Sequence, residues 1–120
     1  MRKLTKKQIA FASKEFSVVE ANILESGGKR RDRRNEFDLP TVCGTIYISL
    51  DIGFYIFSIN CRFADVRKAV DHFKSNPNSS SSSRLNTFSG KWNFNGTDAT
   101  ALVTEFFIEI NPLLNGLGTN

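Results

Sequence analysis

Apolar positions in the first quarter of the chain recur at helical spacing. Ile9, Ala12, Phe16, Val19 and Ile23 fall three and four residues apart with polar residues between them, which places them on one stripe of an amphipathic helix. Thr5-Lys6-Lys7-Gln8 reads as a capping box: the threonine hydroxyl accepts from the backbone N–H of Gln8, and the glutamine side chain reaches back. Leu4 and Ile9 make the matching hydrophobic staple, and Val18 and Leu24 widen the apolar face. Gly27 or Gly28 supplies the stop, because glycine takes the left-handed conformation that ends helices. The predicted helix covers about residues 5–26.

From Gly27 to Pro40 the hydrophobic period disappears, and residues 27–40 read as a basic, irregular connector. "TVCGTIYISLD" then alternates, with Val42, Ile46, Ile48 and Leu50 on one side and Thr41, Cys43, Thr45, Tyr47 and Ser49 on the other. That is the period of a half-buried strand. Asp51-Ile52-Gly53 supplies a turn, and "FYIFSIN" reads as a second strand, paired with the first as an antiparallel hairpin. Phe63, Val66, Val70 and Phe73 predict a second helix, ended by Asn76-Pro77. Residues 77–84 read as a flexible serine-rich loop. Phe88, Trp92 and Phe94 share one parity of a third strand, and Asn95-Gly96 turns the chain. Thr97 or Asp98 caps a last helix carrying Leu102, Val103, Phe106, Phe107 and Ile110 on one face, with Pro112 as its stop. A helix is preferred there to a strand through "FFIEI". The order α-β-β-α-β-α predicts an α+β fold: a small antiparallel sheet of about three strands, helices mainly on one face, and a single domain over residues 1–120.

Composition adds weight to aromatic packing, with eleven phenylalanines in 120 residues. The net charge of +4 conceals an asymmetry. Residues 1–34 hold ten of the sixteen Lys/Arg and four acids, a net +6, and the remainder carries −2. The positive field therefore belongs to the N-terminal third. The longest apolar runs fall short of the roughly 18 residues of a spanning helix, and the charged start lacks the apolar segment of a secretory signal. A soluble, cytoplasmic protein without a membrane partner is expected.

Catalytic chemistry finds little to work with. Cys43, Cys61 and His72 are too few for a structural zinc site, and two buried, reduced thiols are preferred to one disulfide. His72 neighbours Asp71, but successive helix residues do not face each other. Glu105 and Glu109 stand one helical turn apart, as on the wet face of an amphipathic helix. No enzyme activity, metal or cofactor is expected.

Binding is better supplied. Lys29, Arg30, Arg31, Arg33 and Arg34 concentrate positive charge in the connector. Tyr47 and Phe57 lie on strands and can form an exposed aromatic patch, which usually means a protein partner. The N-terminal cations Arg2, Lys3, Lys6 and Lys7 sit about 30 Å away at the other end of the first helix, so the two clusters are expected to act separately. The expectation is a small non-enzymatic protein-binding module that meets the acidic surface of a larger protein. It would be an inhibitor or adaptor of the kind that phage and mobile elements direct at nucleic-acid-processing complexes. The alternative is an RNA- or DNA-binding accessory protein, with the same arginines on phosphates and strand aromatics on bases.

Overall fold

In the computed structural model, which describes residues 2–33, 35–75 and 84–114, the first helix forms as the pattern predicts. Helix α1 spans Lys6–Glu25. The Thr5 hydroxyl accepts from Gln8 N–H at 3.1 Å, and the Gln8 side-chain carbonyl accepts from Thr5 N–H at 2.7 Å. Ala12, Phe16, Val19 and Ile23 are buried, while Val18 and Leu24 stay on the surface. The helix ends in a Schellman closure. Gly28 N–H donates to Ile23 C=O at 2.9 Å and Gly27 N–H to Leu24 C=O at 3.3 Å, with Gly27 at φ +94°. Gly28 is required for another reason: a Cβ there would stand 2.5 Å from Ile23 Cγ2 and 2.7 Å from Ile23 O.

The chain then departs from the expected irregular connector. Strand β1 is Lys29–Arg30 and β2 is Glu36–Thr41, paired antiparallel, so half of residues 27–40 is strand. Phe37 and Leu39 alternate with Glu36, Asp38 and Pro40, and only the two apolar residues are buried. Pro40 had marked the end of the connector. It fits inside a strand because β1 covers only Phe37 and Asp38. Pro40 therefore lies on an uncovered edge, where its missing N–H leaves no ladder partner unpaired.

The expected single strand 41–51 is broken at its start. Val42 and Cys43 form a two-residue turn between β2 and β3, Gly44–Ile52. The Thr41 hydroxyl holds this turn, accepting from Cys43 N–H at 3.0 Å and donating to Gly44 C=O at 2.7 Å. The turn exchanges two expected positions, leaving Val42 exposed and Cys43 buried. β4 runs Phe57–Phe63. Phe54, Tyr55 and Ile56, expected at the start of this strand, instead form the tip of the β3–β4 turn, which Gly53 N–H closes onto Ile56 C=O at 3.0 Å. Helix α2 spans Val66–Ser75. The Asn76-Pro77 stop and residues 77–83 of the serine-rich loop lie outside the described residues. β5 is only Phe94–Gly96. α3, Ala99–Ile110, is capped by the Asp98 carboxylate, which accepts from Ala101 N–H. Pro112 sits in a 3-10 turn, Asn111–Leu113.

The fold is therefore α+β with five antiparallel strands in spatial order β1-β2-β3-β4-β5 and element order α-β-β-β-β-α-β-α. It has two more strands than expected. One face of the sheet carries Phe37, Ile48 and Cys61 in one register row and Leu39, Ile46 and Phe63 in the next. These residues join the buried residues of α1, α2 and α3 in one core. The phenylalanines build much of it through edge-on contacts. Phe73, Phe63, Trp92, Phe94 and Phe106 touch in succession, with centroids 5.0–6.3 Å apart, spacings at which aromatic pairs attract beyond simple burial. Trp92 is fully buried, whereas Phe88 leaves the predicted strand and is 96 % exposed in a turn.

Candidate binding face

Side chains alternate across a sheet, so the residues between the buried positions face away from the helices. The strand register aligns them. Lys29, Asp38, Tyr47, Arg62 and Lys91 form one row across the sheet, and Glu36, Ser49 and Asn60 form the next. Tyr47 is half-buried at the centre of the first row. The guanidinium carbons of Arg31 and Arg62 lie over its ring, 5.1 and 5.7 Å from the centroid, within cation–π range.

The two ends of this row differ. Toward β1, positive charge is balanced: Asp38 stands opposite Lys29, and its carboxylate is 3.4 Å from Arg31 Nε. Toward β5, Arg62 and Lys91 are cross-strand neighbours, both exposed. Among the described residues neither is in an ion pair. Like charges directly opposite one another repel. Beside them, Asp51 is held by three donors. Its Oδ2 accepts from Asn60 Nδ2 at 2.8 Å and Ser49 Oγ at 2.9 Å, and its Oδ1 accepts from Asn35 Nδ2 at 3.1 Å. Asn93 Oδ1 accepts from Cys61 N–H at 3.1 Å. These bonds fix the polar floor of an open depression whose wall includes Arg31, Tyr47, Asn60, Arg62, Lys91 and one carboxylate, Glu36.

The residues expected to bind a partner separate in the structure. Arg31 and Tyr47 sit in the depression, and Lys29 is exposed at the end of the same row. Arg30 turns to the helix side, where its Nη1 meets Glu20 Oε2 at 2.7 Å and its guanidinium lies 5.1 Å from the centre of the Phe37 ring. The hydrogen bond to Glu20 raises its already high pKa. Arg33 is exposed in the β1–β2 loop, and Arg34 lies outside the described residues. Phe57 requires a correction. It is 1 % exposed and packs edge-on against Phe16 at 6.5 Å, because it shares the inward parity of Ile59, Cys61 and Phe63. The partner-binding set expected from sequence included neither Arg62 nor Lys91. Arg62 alternates with the buried Cys61 and Phe63, and Lys91 precedes the buried Trp92, so strand parity was the signal for both.

The remaining reactive groups are quiet. Both cysteines are unpaired and buried. Burial pushes the Cys43 thiol up to about 11 and raises Cys61 as well, which keeps them protonated and poorly nucleophilic near neutral pH. The His72 ring packs edge-on against Phe73 at 5.5 Å. Glu105 and Glu109 do not form a simple wet face. Glu109 is only 6 % exposed, and both carboxylates converge on Arg84 Nη2, at 3.0 Å for Glu105 and 3.2 Å for Glu109. Arg84 also lies 4.1 Å from the centre of the Phe94 ring and donates to Asn93 C=O, so it clamps α3 to the segment entering β5. Among the described residues no group of three or more His, Cys, Asp or Glu is placed to hold a metal ion. Comparison with known protein families, curated proteins and solved structures finds no match.

Proposed function

We propose that the chain is a non-catalytic binding module that docks an acidic protein surface on the open face of its sheet, as an inhibitor or adaptor of a larger assembly. The observation that carries this reading is the Arg62–Lys91 pair, outside any ion pair among the described residues, with Arg62 sharing the Tyr47 ring with Arg31. A fold has no need to hold like charges together across two strands. An acidic partner turns that repulsion into attraction. Arginine and tyrosine are also the side chains on which interface energy concentrates. Protonated thiols and clamped carboxylates support a role without catalysis.

Protein is favoured over nucleic acid by the aromatics. A single-strand platform needs ring faces open to bases. Here Phe57, Trp92 and Phe94 are in the core, and the Tyr47 ring is engaged by Arg31 and Arg62. The test is affinity capture from a nuclease-treated extract of the native host. One stoichiometric protein is expected, weakened by salt and lost when Arg31, Arg62 and Lys91 are all changed to Glu. Capture of no protein, with salt-sensitive binding of single-stranded RNA or DNA by the same face, would replace this reading with the nucleic-acid one.

A further inference from the structure

The end of the sheet beyond Leu50 gathers features that the open face does not use. Ile52, Phe54, Tyr55 and Ile56 are 36 %, 72 %, 40 % and 42 % exposed, so four large apolar side chains protrude within five residues. Apolar groups this concentrated on a convex turn are not the scattered exposure usual for a surface. The tip is firmly built. Gly53 N–H donates to Ile56 C=O, and Leu4 N–H donates to Phe54 C=O at 2.7 Å. That second bond fixes the N-terminal segment against the tip, with Lys3 Nζ 5.5 Å from the centre of the Phe54 ring.

Charge at this end is largely of one sign. Arg2, Lys3, Lys6 and Lys7 follow one another without an acid before Glu15, and among the described residues none of the four is in an ion pair. The β1–β2 loop carries Arg33 and Asp32, one charge of each sign. That loop ends at Asn35, which exchanges bonds with Leu50 and also reaches Asp51. The β1–β2 loop therefore lies at the same end of the sheet as the β3–β4 tip. Asp51 is held by its three donors, and Asp98 caps α3. Between the N-terminal segment and the tip runs a groove lined by Arg2, Lys3, Leu4, Tyr55 and Ile56, with no carboxylate in its wall.

We infer that this end of the molecule seats on an anionic lipid surface, with Phe54, Tyr55 and Ile56 entering the headgroup region and Arg2, Lys3, Lys6 and Lys7 on lipid phosphates. Apolar side chains flanked by cations are the pairing that anchors a protein to the face of a bilayer. The backbone bonds from Gly53 to Ile56 and from Leu4 to Phe54 lower the penalty of leaving water. A protein partner would need a pocket shaped to a convex tip and an acidic rim around it, whereas a fluid lipid interface supplies both without a fixed shape. The expectation of no membrane partner rested on the lack of a spanning segment. Among the described residues no helix is long and apolar enough to cross a membrane, and seating on the surface requires none.

The test is flotation of the full chain with vesicles of phosphatidylcholine alone and of phosphatidylcholine mixed with phosphatidylglycerol. Binding should favour the anionic vesicles by at least about tenfold and fall by at least about tenfold in Phe54→Ser and in Lys3→Glu. The native circular dichroism of both variants should be unchanged, since both side chains are on the surface. Capture of the protein partner by the sheet face should survive Phe54→Ser, so failure here is distinguishable from failure of the proposed function. Absence of binding to anionic vesicles at low salt would overturn the inference. So would binding that Phe54→Ser leaves intact, or lipid-free binding of soluble polyglutamate that the same substitution abolishes; the last would assign the tip to an acidic protein.

Discussion

Strand β4 has two faces made by alternate residues of one heptapeptide. Phe57, Ile59, Cys61 and Phe63 point inward and are at most 3 % exposed, whereas Ser58, Asn60 and Arg62 point outward. The inward set is fixed by volume: each side chain fills space between the sheet and the helices, and no other shape fits as well. In the outward set Asn60 is bonded to Asp51 and Arg62 lies over the Tyr47 ring, yet Arg62 also stands opposite a lysine. The face that stabilises the fold and the face that opposes stability, at least locally, are one residue apart. Substitutions should separate them.

The largest effect is expected on the inner side. Phe106→Ala removes a fully buried ring from the aromatic chain and should lower unfolding free energy by about 3–5 kcal/mol, read from the midpoint of urea denaturation. Next is the clamp on α3. Arg84→Ala leaves the Glu109 carboxylate buried without its cation and should destabilise by about 3 kcal/mol. Adding Glu109→Leu should restore most of the loss. If it does not, the clamp acts through Phe94 packing rather than charge.

A smaller effect tests the thiols. The Cys43 thiol has an ordinary pKa of 9.0 and is raised to about 11 in the fold. The unfolded chain therefore ionises it first. Stability contributed by the protonated native thiol is present below pH 9 and should decline as pH rises from 9 toward 11. Replacing Cys43 with Ala should flatten that decline relative to the wild type, whatever its effect at neutral pH.

How far the sequence discloses these two faces differs sharply. Helix α1 is legible almost to the residue, because Thr5, Gln8, Gly27 and Gly28 each have one local role and the apolar stripe agrees with them. α3 is legible for similar reasons. β1 is not, since two residues carry no period, and Pro40 disguises β2 as the end of a loop. The Phe54–Ile56 tip reads as strand because its composition is β-prone; only the closure of Gly53 onto Ile56 makes it a turn. The proposed binding face is legible in its local part alone. A run of arginines at 29–34 draws attention, but the sheet takes Arg31 from it, turns Arg30 toward Glu20, and adds Arg62 and Lys91 from elsewhere. Proximity in a sheet depends on register, and register is set by pairings between strands that no single segment records.

The central claim is that Arg62 and Lys91 are held together against their mutual repulsion. Arg62 also gains from the Tyr47 ring, so either single substitution mixes two effects. A double-mutant cycle with Arg62→Gln and Lys91→Gln isolates the pair. The account predicts an unfavourable coupling of about 0.2–1 kcal/mol in urea denaturation at low ionic strength, shrinking toward zero at about 1 M salt. A favourable coupling, or one that salt leaves unchanged, would contradict it.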